Sequence, residues 1–401
     1  PTAEQNRCAI MLKNGTTADG SYSITINPQD PPMLFVGQGL IGGGIPGATI
    51  QFDGISPFGF PIGVVPSRTF DSYPFLGFSE TVTDFTQVAG AYNELGFRVN
   101  PEGSIAQATD GISTTGWAPY AVQASETLNA DGTCTPDAST NSCALTGTPW
   151  TLRHNADGSP DNVFISASSP DTLVYPAVGV GLLQVLFAQS PAHGIMIVGK
   201  VDNQLVPVMI RVGYAHTDSD NILDNTLDDQ LGISLLAPAT TIAQTALSGG
   251  YIGANSASAC GTVTSIGVGS SPVYYNGQPV YAAVGSCSDG GASLNAGVNY
   301  GATLFQSPSA ALLNPFTSSL SSNFALDFTQ KQPGLVNVTA TKDLSSGSTA
   351  IYKAGDAGVM IKVGPVYGLL MNGINQPTAT YDPANYTGKV NPFLSIGAFV
   401  Q

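Results

Sequence analysis

Short runs of apolar residues, many of them alternating with polar ones, recur along the whole chain and are separated by turn-forming residues. Such a pattern is typical of antiparallel strands that bury one face, because successive side chains of a strand point to opposite sides. The clearest predicted strands are 163–167, 205–212, 324–328 and 335–339. The pattern therefore predicts an all-β protein built from β-barrel or β-sandwich units.

The residues between these runs predict a tight hairpin and little helix. Asn276 and Gly277 stand between two tyrosine-containing runs, and both residue types tolerate the positive φ angles of a type I′ turn. Residues 81–89 and 240–247 each predict one or two helical turns that lead into a Gly-x-Tyr strand. Residues 221–230 predict a short connecting helix.

Three pairs of similar segments occur in the same order in the two halves of the chain. Segment 88–96 is echoed by 247–255, which aligns Tyr92 with Tyr251. Two further matches, of 175–183 with 352–360 and of 193–199 with 367–373, follow in order and align Gly194 with Gly368. Self-similarity of this kind predicts a duplicated antiparallel β unit. The predicted divisions are an N-terminal Gly-rich β segment at 1–78, a first repeat at 79–215, an acidic linker at 216–239, a second repeat at 240–375 and a C-terminal tail or strand at 376–401.

Composition narrows the class of protein. Only 10% of the residues are charged, while 47 Gly and 28 Pro interrupt the chain, which excludes a long charged helical bundle or coiled coil. The formal net charge is −15 and no cluster of Lys or Arg is present, so nucleic acid is not an expected partner. No apolar stretch is long enough to predict a transmembrane helix.

The five cysteines indicate an oxidising compartment. They form no C-x-x-C pair, which makes a structural zinc site improbable. Their spacing predicts two local disulfides, Cys134 with Cys143 and Cys260 with Cys287. Cys8 is interpreted as a buried small hydrophobic residue, with an intermolecular or lost partner as the alternative. The sequence opens on Pro1 without an initiator Met, which predicts a mature chain whose export signal has been removed.

Motifs with catalytic or cofactor associations fail in their context. Segment 37–42 spells Gly-x-Gly-x-x-Gly after an apolar run, but the following glycines and Pro46 would break the helix that must hold a pyrophosphate. The three histidines have no Gly-x-Ser-x-Gly motif to accompany them. The sequence therefore assigns no catalytic residue and predicts no enzyme.

The densest set of carboxylates lies within 218–229, in a chain that is otherwise poor in charge. Calcium binds oxygen ligands, so this segment is a weak candidate metal site. Its spacing departs from an EF-hand loop, since Leu223 stands where glycine makes the turn. A solvated acidic face is the favoured interpretation, and no cofactor is expected. The calcium candidates are Asp218, Asp220, Asp224, Asp228 and Asp229.

Three segments, 170–181, 211–216 and 223–230, are similar to a family of exported lipoproteins of unknown function from Burkholderia-type proteobacteria. The resemblance implies a lipidated cysteine upstream of this chain and a place at the outer membrane or cell surface. It brings no catalytic residues. The segment that ends at Cys8 does not fit the small-residue pattern of lipid attachment.

These observations favour a non-enzymatic exported protein, at the cell surface or in the periplasm, that acts as a binding or structural module for a protein or glycan partner. Two alternatives stay open at this point. One is a secreted glycan-active or other hydrolase that uses carboxylates such as Asp171 or Asp218. The other is an integral outer-membrane β-barrel.

Overall fold

The computed structural model describes the strands, their tight turns and parts of the longer connections. The described residues are 13–16, 22–29, 34–37, 39–52, 68–102, 116–136, 149–166, 194–211, 214–216, 226–228, 231–247, 249–257, 262–265, 267–268, 271–272, 274–275, 278–279, 281–284, 302–306, 309–313, 320–346, 349–371 and 393–399. Within these ranges the regular elements are β-strands, apart from two 3₁₀ turns at Phe85–Gln87 and Gln244–Leu247.

The N-terminal strands form a five-stranded antiparallel sheet. They are β1 (Gly15–Thr16), β2 (Tyr22–Thr25), β3 (Leu34–Gly37), β4 (Leu40–Phe52) and β5 (Arg68–Phe78). β4 is central, because β5 pairs along one of its edges while β2 and β3 share the other. Leu40 and Ile50 of β4 are buried against the rest of the molecule.

An eight-stranded antiparallel sheet follows. The strands of this region are β6 (Gly90–Glu102), β7 (Gly116–Leu128), β8 (Cys134–Pro136), β9 (Thr151–His154), β10 (Pro160–Ser166), β11 (Gly194–Val201), β12 (Gln204–Arg211), β13 (Tyr214–His216), β14 (Thr226–Asp228) and β15 (Leu231–Pro238). The order in the sheet is β8-β7-β6-β15-β12-β11-β10-β9, so its first strand in the chain pairs with its last, while β13 and β14 form a separate ribbon. The edge strands meet where the backbone N–H of Trp150 donates to the carbonyl of Gly132 at 2.8 Å.

A closed eight-stranded barrel completes the chain. The strands are β16 (Gly249–Ala257), β17 (Thr262–Ser265), β18 (Gly267–Val268), β19 (Ser271–Pro272), β20 (Tyr274–Tyr275), β21 (Gln278–Pro279), β22 (Tyr281–Val284), β23 (Ala302–Gln306), β24 (Ser309–Leu313), β25 (Leu320–Asp327), β26 (Val336–Ala340), β27 (Leu344–Ser346), β28 (Thr349–Tyr352), β29 (Ala357–Val363), β30 (Val366–Met371) and β31 (Phe393–Phe399). The barrel runs β16-β23-β24-β25-β26-β29-β30-β31, and β31 closes it by pairing with β16. The remaining strands form two-stranded ribbons.

Each of these two bodies has its own apolar interior. In the barrel, Tyr352 packs against Phe393 with ring centroids 5.4 Å apart. In the sheet, Phe85 and Phe164 meet edge to face at 5.0 Å. Phe85 belongs to the first 3₁₀ turn, and Leu247 of the second turn is buried in the barrel. Each 3₁₀ turn therefore anchors the start of its body with one apolar side chain.

A third apolar cluster joins the outer face of the barrel to the sheet. Alternation explains it, because Met360 lies inside the barrel while Ile361 and Val363 of the same strand pack against the sheet. A Cβ built on Gly364 would lie 3.5 Å from atoms of both Gln204 and Val206, at the start of β12. A Cβ on Gly368 would lie 3.2 Å from Leu235, which pairs with Val208 further along β12. The turn between β29 and β30 therefore lies beside the start of β12, next to the turn between β11 and β12.

The prediction of an all-β antiparallel protein is confirmed. The 3₁₀ turns fall within 81–89 and 240–247, and β20 pairs with β21 on the two sides of Asn276 and Gly277. The four clearest predicted strands correspond to β10, β12, β25 and β26.

The predicted helix over 221–230 is wrong in its described part. Thr226–Asp228 is strand β14, and Thr226 pairs with His216 of β13. Pairing with β13 gives these backbone groups partners, and such tertiary context overrides the weak local preference for helix.

The sheet and the barrel extend beyond the predicted repeat boundaries. β15 lies inside the segment 216–239 predicted as a linker, and β31 lies inside the predicted tail 376–401, because each pairs with the first strand of its own body. Tyr92 and Tyr251 are both the third residue of a first strand. Gly194 opens the sixth strand of the sheet, whereas Gly368 lies in the seventh strand of the barrel, so that segment match is not structural. Duplication itself stays a prediction.

Candidate binding surface

The strand order sends the connections alternately to two ends of the molecule. At the end named here the turn end, the connections between strands of the sheet are 129–133, 155–159 and 202–203, and those of the barrel are 307–308, 328–335 and 364–365. At the opposite end, the loop end, lie the strand ends that are joined through 103–115, 167–193, 212–230, 258–301, 314–319, 341–356 and 372–392, most of which fall outside the described residues. All of these connections except 314–319 are longer than any connection of the turn end. Because the β29–β30 turn lies beside the β11–β12 turn, both bodies direct their turn ends to one side and their loop ends to the other.

Two copies of one five-residue loop lie at the turn end. The sequence is Asn-Ala-Asp-Gly-Thr at 129–133 and Asn-Ala-Asp-Gly-Ser at 155–159. In each loop the first residue donates its backbone N–H to the carbonyl of the fifth at 2.8 Å, and the glycine donates to the carbonyl of the first at 2.9 Å. The glycines, Gly132 and Gly158, have φ angles of 85° and 83°. The same local sequence thus builds the same closed turn twice.

The aspartate of each loop accepts two hydrogen bonds from the residue two positions later. Asp131 Oδ1 accepts from the hydroxyl of Thr133 at 2.6 Å and from its backbone N–H at 3.0 Å, and Asp157 is bound in the same way by Ser159. The hydroxyl bond, and then the backbone bond, hold the pKa of both exposed carboxyls below the ordinary value. Both carboxylates are therefore charged and fixed in direction at neutral pH.

Two ion pairs and a capping carboxylate lie near the turn end. Lys200 Nζ lies 3.0 Å from Oε1 of Glu80, and Arg153 forms an ion pair with Asp161. Asp84 caps the first 3₁₀ turn by accepting from the backbone N–H of Thr86, and the hydroxyl and backbone bonds from that threonine lower its pKa. The turn end is a set of short, internally bonded turns that hold their own side chains in place.

The candidate calcium ligands belong to the loop end. Asp218, Asp220, Asp224 and Asp229 lie outside the described residues, and Asp228 is the last residue of β14, opposite Tyr214. Among the described residues, no group of three or more His, Cys, Asp or Glu side chains is placed to hold a metal ion. Whether the acidic segment binds calcium stays open.

Of the four cysteines in the predicted disulfides, Cys134 lies within the described residues. Cys134 is the first residue of β8, and Cys143 lies in the connection that follows it, outside the described residues. Cys260 and Cys287 both belong to connection 258–301 and lie outside the described residues as well. Both pairings stay predictions.

Two buried glutamates lie inside the eight-stranded sheet. Glu94 of β6 and Glu126 of β7 are 0% and 3% exposed, and the register Tyr92↔Glu126 places them diagonally on one face. Oε2 of Glu126 lies 3.5 Å from Sγ of Cys134. Buried carboxylates are candidates for function in many proteins. Here both carboxylates lie on the same face of the sheet as the buried Tyr92.

The family of the chain is decided by its full-length match. The model of a family described as proteins of unknown function, DUF2957, matches residues 1–398. The chain belongs to the DUF2957 family. None of the curated proteins matches this DUF2957 chain. Within the described residues, no helix is long and apolar enough to cross a membrane.

Among solved structures, the DUF2957 chain is similar to a single-residue mutant of the vaccine antigen Transferrin Binding Protein B from Haemophilus parasuis Hp5. The sequences are 8% identical, and the match covers 92% of this chain and 85% of that protein at a TM-score of 0.20. A TM-score this low does not establish a common fold.

Sequence reasoning missed the paired loops of the turn end and the two buried glutamates. The loops carried a readable signal, because Asn-Ala-Asp-Gly followed by Thr or Ser occurs twice within 30 residues or so of sequence. No local pattern in the sequence signals the burial of Glu94 and Glu126. This burial depends on pairing between β6 and β15, which lie far apart in the chain.

Proposed function

We propose that this protein is a non-enzymatic, exported binding module, anchored at the outer membrane, at the cell surface or in the periplasm, that recognises a protein or glycan partner with its loop end. The proposal is carried by one observation, the separation of short turns and long connections to opposite ends of both bodies. Binding residues of β proteins concentrate in long connections held by a rigid scaffold.

The length of the loop-end connections supports a role in recognition. Connections longer than about 12–15 residues are uncommon in compact domains and are usually functional or disordered. The largest of them here, 258–301, contains Tyr274, Tyr275 and Tyr281, and Trp117 and Tyr120 lie in the part of β7 that leaves the same end. Aromatic rings of this kind suit stacking on sugars and anchoring of protein partners.

The turn end supplies the rigidity that such a surface requires. Its loops are closed by backbone and side-chain hydrogen bonds, and the 3₁₀ turns anchor Phe85 and Leu247 in the two interiors. The predicted bonds Cys134–Cys143 and Cys260–Cys287 would constrain two of the long connections, which fits an oxidising environment outside the cytoplasm.

Binding assays with matched variants test the proposal. We expect the purified protein to bind members of a glycan array or of a panel of purified extracellular proteins. The signal should disappear when connection 258–301 is replaced by a short Gly-Ser linker. It should persist when the turn end is altered by Asp157→Ala and Ser159→Ala.

Three outcomes would contradict the proposal. Binding that persists after each of the long loop-end connections has been replaced in turn would remove the loop end as the recognition surface. Turnover of an ester, peptide or glycoside that is lost with one carboxylate variant would show an enzyme. Export would be contradicted if the protein stayed in the cytoplasmic fraction of the cells that make it and was neither enclosed by the envelope nor exposed on its surface.

A further inference from the structure

The turn between β25 and β26 of the barrel reaches across to the eight-stranded sheet. This segment, 328–335, is named here the locking loop. Its Gln332 donates from Nε2 to Oδ1 of Asn93 at 2.6 Å and also contacts the hydroxyl of Ser125. Asn93 in turn donates from Nδ2 to the carbonyl of Pro333 at 2.8 Å. Asn93 is fully buried, so both ends of its amide are satisfied by this network.

The locking loop also forms hydrogen bonds with the segment that connects the sheet to the barrel. This connector, residues 239–243, runs from β15 to the second 3₁₀ turn. Gln330 accepts the backbone N–H of Ile242 at 2.9 Å and donates to the carbonyl of the same residue at 2.6 Å. The Gln330 amide therefore gives both backbone polar groups of Ile242 a partner, as a neighbouring strand would.

Gly334 allows this close approach. Its φ is 82°, and a Cβ at this position would lie 2.8 Å from the carbonyl oxygen of Pro238 and 3.0 Å from that of Thr240. Its backbone N–H donates to Oε1 of Gln330 at 3.2 Å, which orients the amide that holds the connector. Any side chain at Gly334 would separate the locking loop from the connector.

We propose that the locking loop holds sheet and barrel in one fixed relative orientation, and that without its amide contacts the connector becomes a hinge. The apolar cluster between the two bodies gives them affinity, but burial of apolar area is non-directional and tolerates sliding of one β face on another. Directional hydrogen bonds between buried amides select one arrangement, as buried polar groups do where they set register. The locking loop thereby fixes the distance between the loop end of the sheet and the loop end of the barrel.

Hydrogen exchange in the full chain tests the lock. The reporter is the N–H of Ala239, which bonds to the carbonyl of Ala91 of β6 at 2.8 Å. We expect Gln332→Met and Gln330→Ala to accelerate exchange at Ala239 at least about tenfold, which corresponds to about 1.4 kcal/mol of opening free energy. Amides inside each body, such as those of Val208 and Met360, should keep their exchange rates. Small-angle scattering of the variants should show a broader distribution of distances.

The matched control is Gln87→Ala, which removes an exposed glutamine whose Nε2 donates to Oδ2 of the exposed Asp84 at 3.4 Å. It should leave exchange at Ala239 unchanged. If Gln330→Ala fails to fold, Gln332→Met, which retains the side-chain volume, carries the test alone. Unchanged exchange at Ala239 together with unchanged scattering in Gln332→Met would overturn the proposal. Since no partner enters the assay, the outcome is independent of the proposed function.

Discussion

At the scale of single residues, the two paired loops provide a controlled comparison of backbone strain and crowding. A Cβ on Gly132 would lie 2.3 Å from the carbonyl oxygen of Trp150, whereas a Cβ on Gly158 would meet no atom within 4 Å. Both glycines have positive φ, so Ala costs roughly 1–2 kcal/mol at either. We expect Gly132→Ala to lower the free energy of unfolding by about 1–3 kcal/mol more than Gly158→Ala, because it must also displace Trp150.

Denaturant titration of the two variants checks this difference. Equal destabilisation by both substitutions would mean that the contact between Gly132 and Trp150 does not help to hold the edge strands β8 and β9 together. Gly158→Ala thus serves as the control for the φ angle.

Because the Tyr92 hydroxyl is buried, we expect the folded protein to lose stability in alkali. Burial raises the pKa of its hydroxyl from 10.0 to about 12, and the hydroxyl donates to the carbonyl of Val88 at 2.7 Å. Between pH 10 and 12 the unfolded chain releases this proton while the folded protein retains it, so the free energy of unfolding falls as the pH rises. We expect Tyr92→Phe to lower stability at pH 8 by about 1 kcal/mol and to reduce the decline above pH 10. Identical alkaline slopes for both proteins would refute this assignment.

Some residue-scale features were readable from the sequence and others were not. The duplicated Asn-Ala-Asp-Gly loops are local, so their turns follow from adjacent residues. The contact of Gln332 with Asn93 joins positions 239 residues apart, and no local pattern marks either side chain as buried. Long-range polar contacts of this kind require the tertiary structure.

At the scale of elements, the aspartates of the two paired loops, Asp131 and Asp157, should titrate alike. Hydroxyl and backbone bonds lower the pKa of Asp131 and Asp157, so these bonds stabilise the folded protein above pH 3.8 and are lost as the pH falls through the lowered pKa. We expect carboxyl ¹³C titrations to place both pKa values below 3.8. Ser159→Ala should raise the pKa of Asp157 and leave that of Asp131 unchanged. A pKa of Asp157 that does not respond to Ser159→Ala would exclude the hydroxyl as its cause.

The cysteine pairs are a second prediction about elements. Cys134 should bond Cys143, and Cys260 should bond Cys287, because each pair closes a loop within a single connection or its flanking strand. Each closure would stabilise the protein by roughly 2–3.5 kcal/mol. Peptide mapping without reduction identifies the partners. A bond between the two pairs would contradict the assignment, and so would four free thiols.

Element types were predictable where neighbouring residues decide them. Alternation located β10, β12, β25 and β26, and Asn276-Gly277 located a hairpin. The acidic stretch around Thr226 was misread as helix, because its partner β13 lies on the other side of a connection. Pairing, and not propensity, decides the state of such short segments.

At the scale of the whole molecule, calcium provides a test of the acidic segment of the loop end. Because the spacing from Asp218 to Asp229 departs from that of a calcium loop, we expect millimolar calcium and a chelator to give the same thermal midpoint. A ligand at about 100 times its dissociation constant would add about 2.7 kcal/mol of stability, which such a melt detects. A rise that Asp224→Asn abolishes would instead establish a calcium site.

The overall arrangement could be predicted only in part. Local repeats suggested two β units, and Tyr92 and Tyr251 each occupy the third position of the first strand of one body, while the duplication stays a prediction. The roles of β15 and β31 escaped prediction, because each completes its body by pairing with a strand that lies more than a hundred residues earlier. Nothing in the local sequence of a strand names its partner at that distance.

This pairing of first with last strands has a consequence for biosynthesis. The eight-stranded sheet has all its strands once β15 has been translated, before any barrel strand has been made. The barrel cannot close until β31, almost at the end of the chain, has left the ribosome. Domains generally fold as units during synthesis, N-terminal first. The nascent sheet is thus available as a template on which the late strands β29 to β31 assemble, and a ribosome that stalls before residue 393 would leave a finished sheet beside an open barrel.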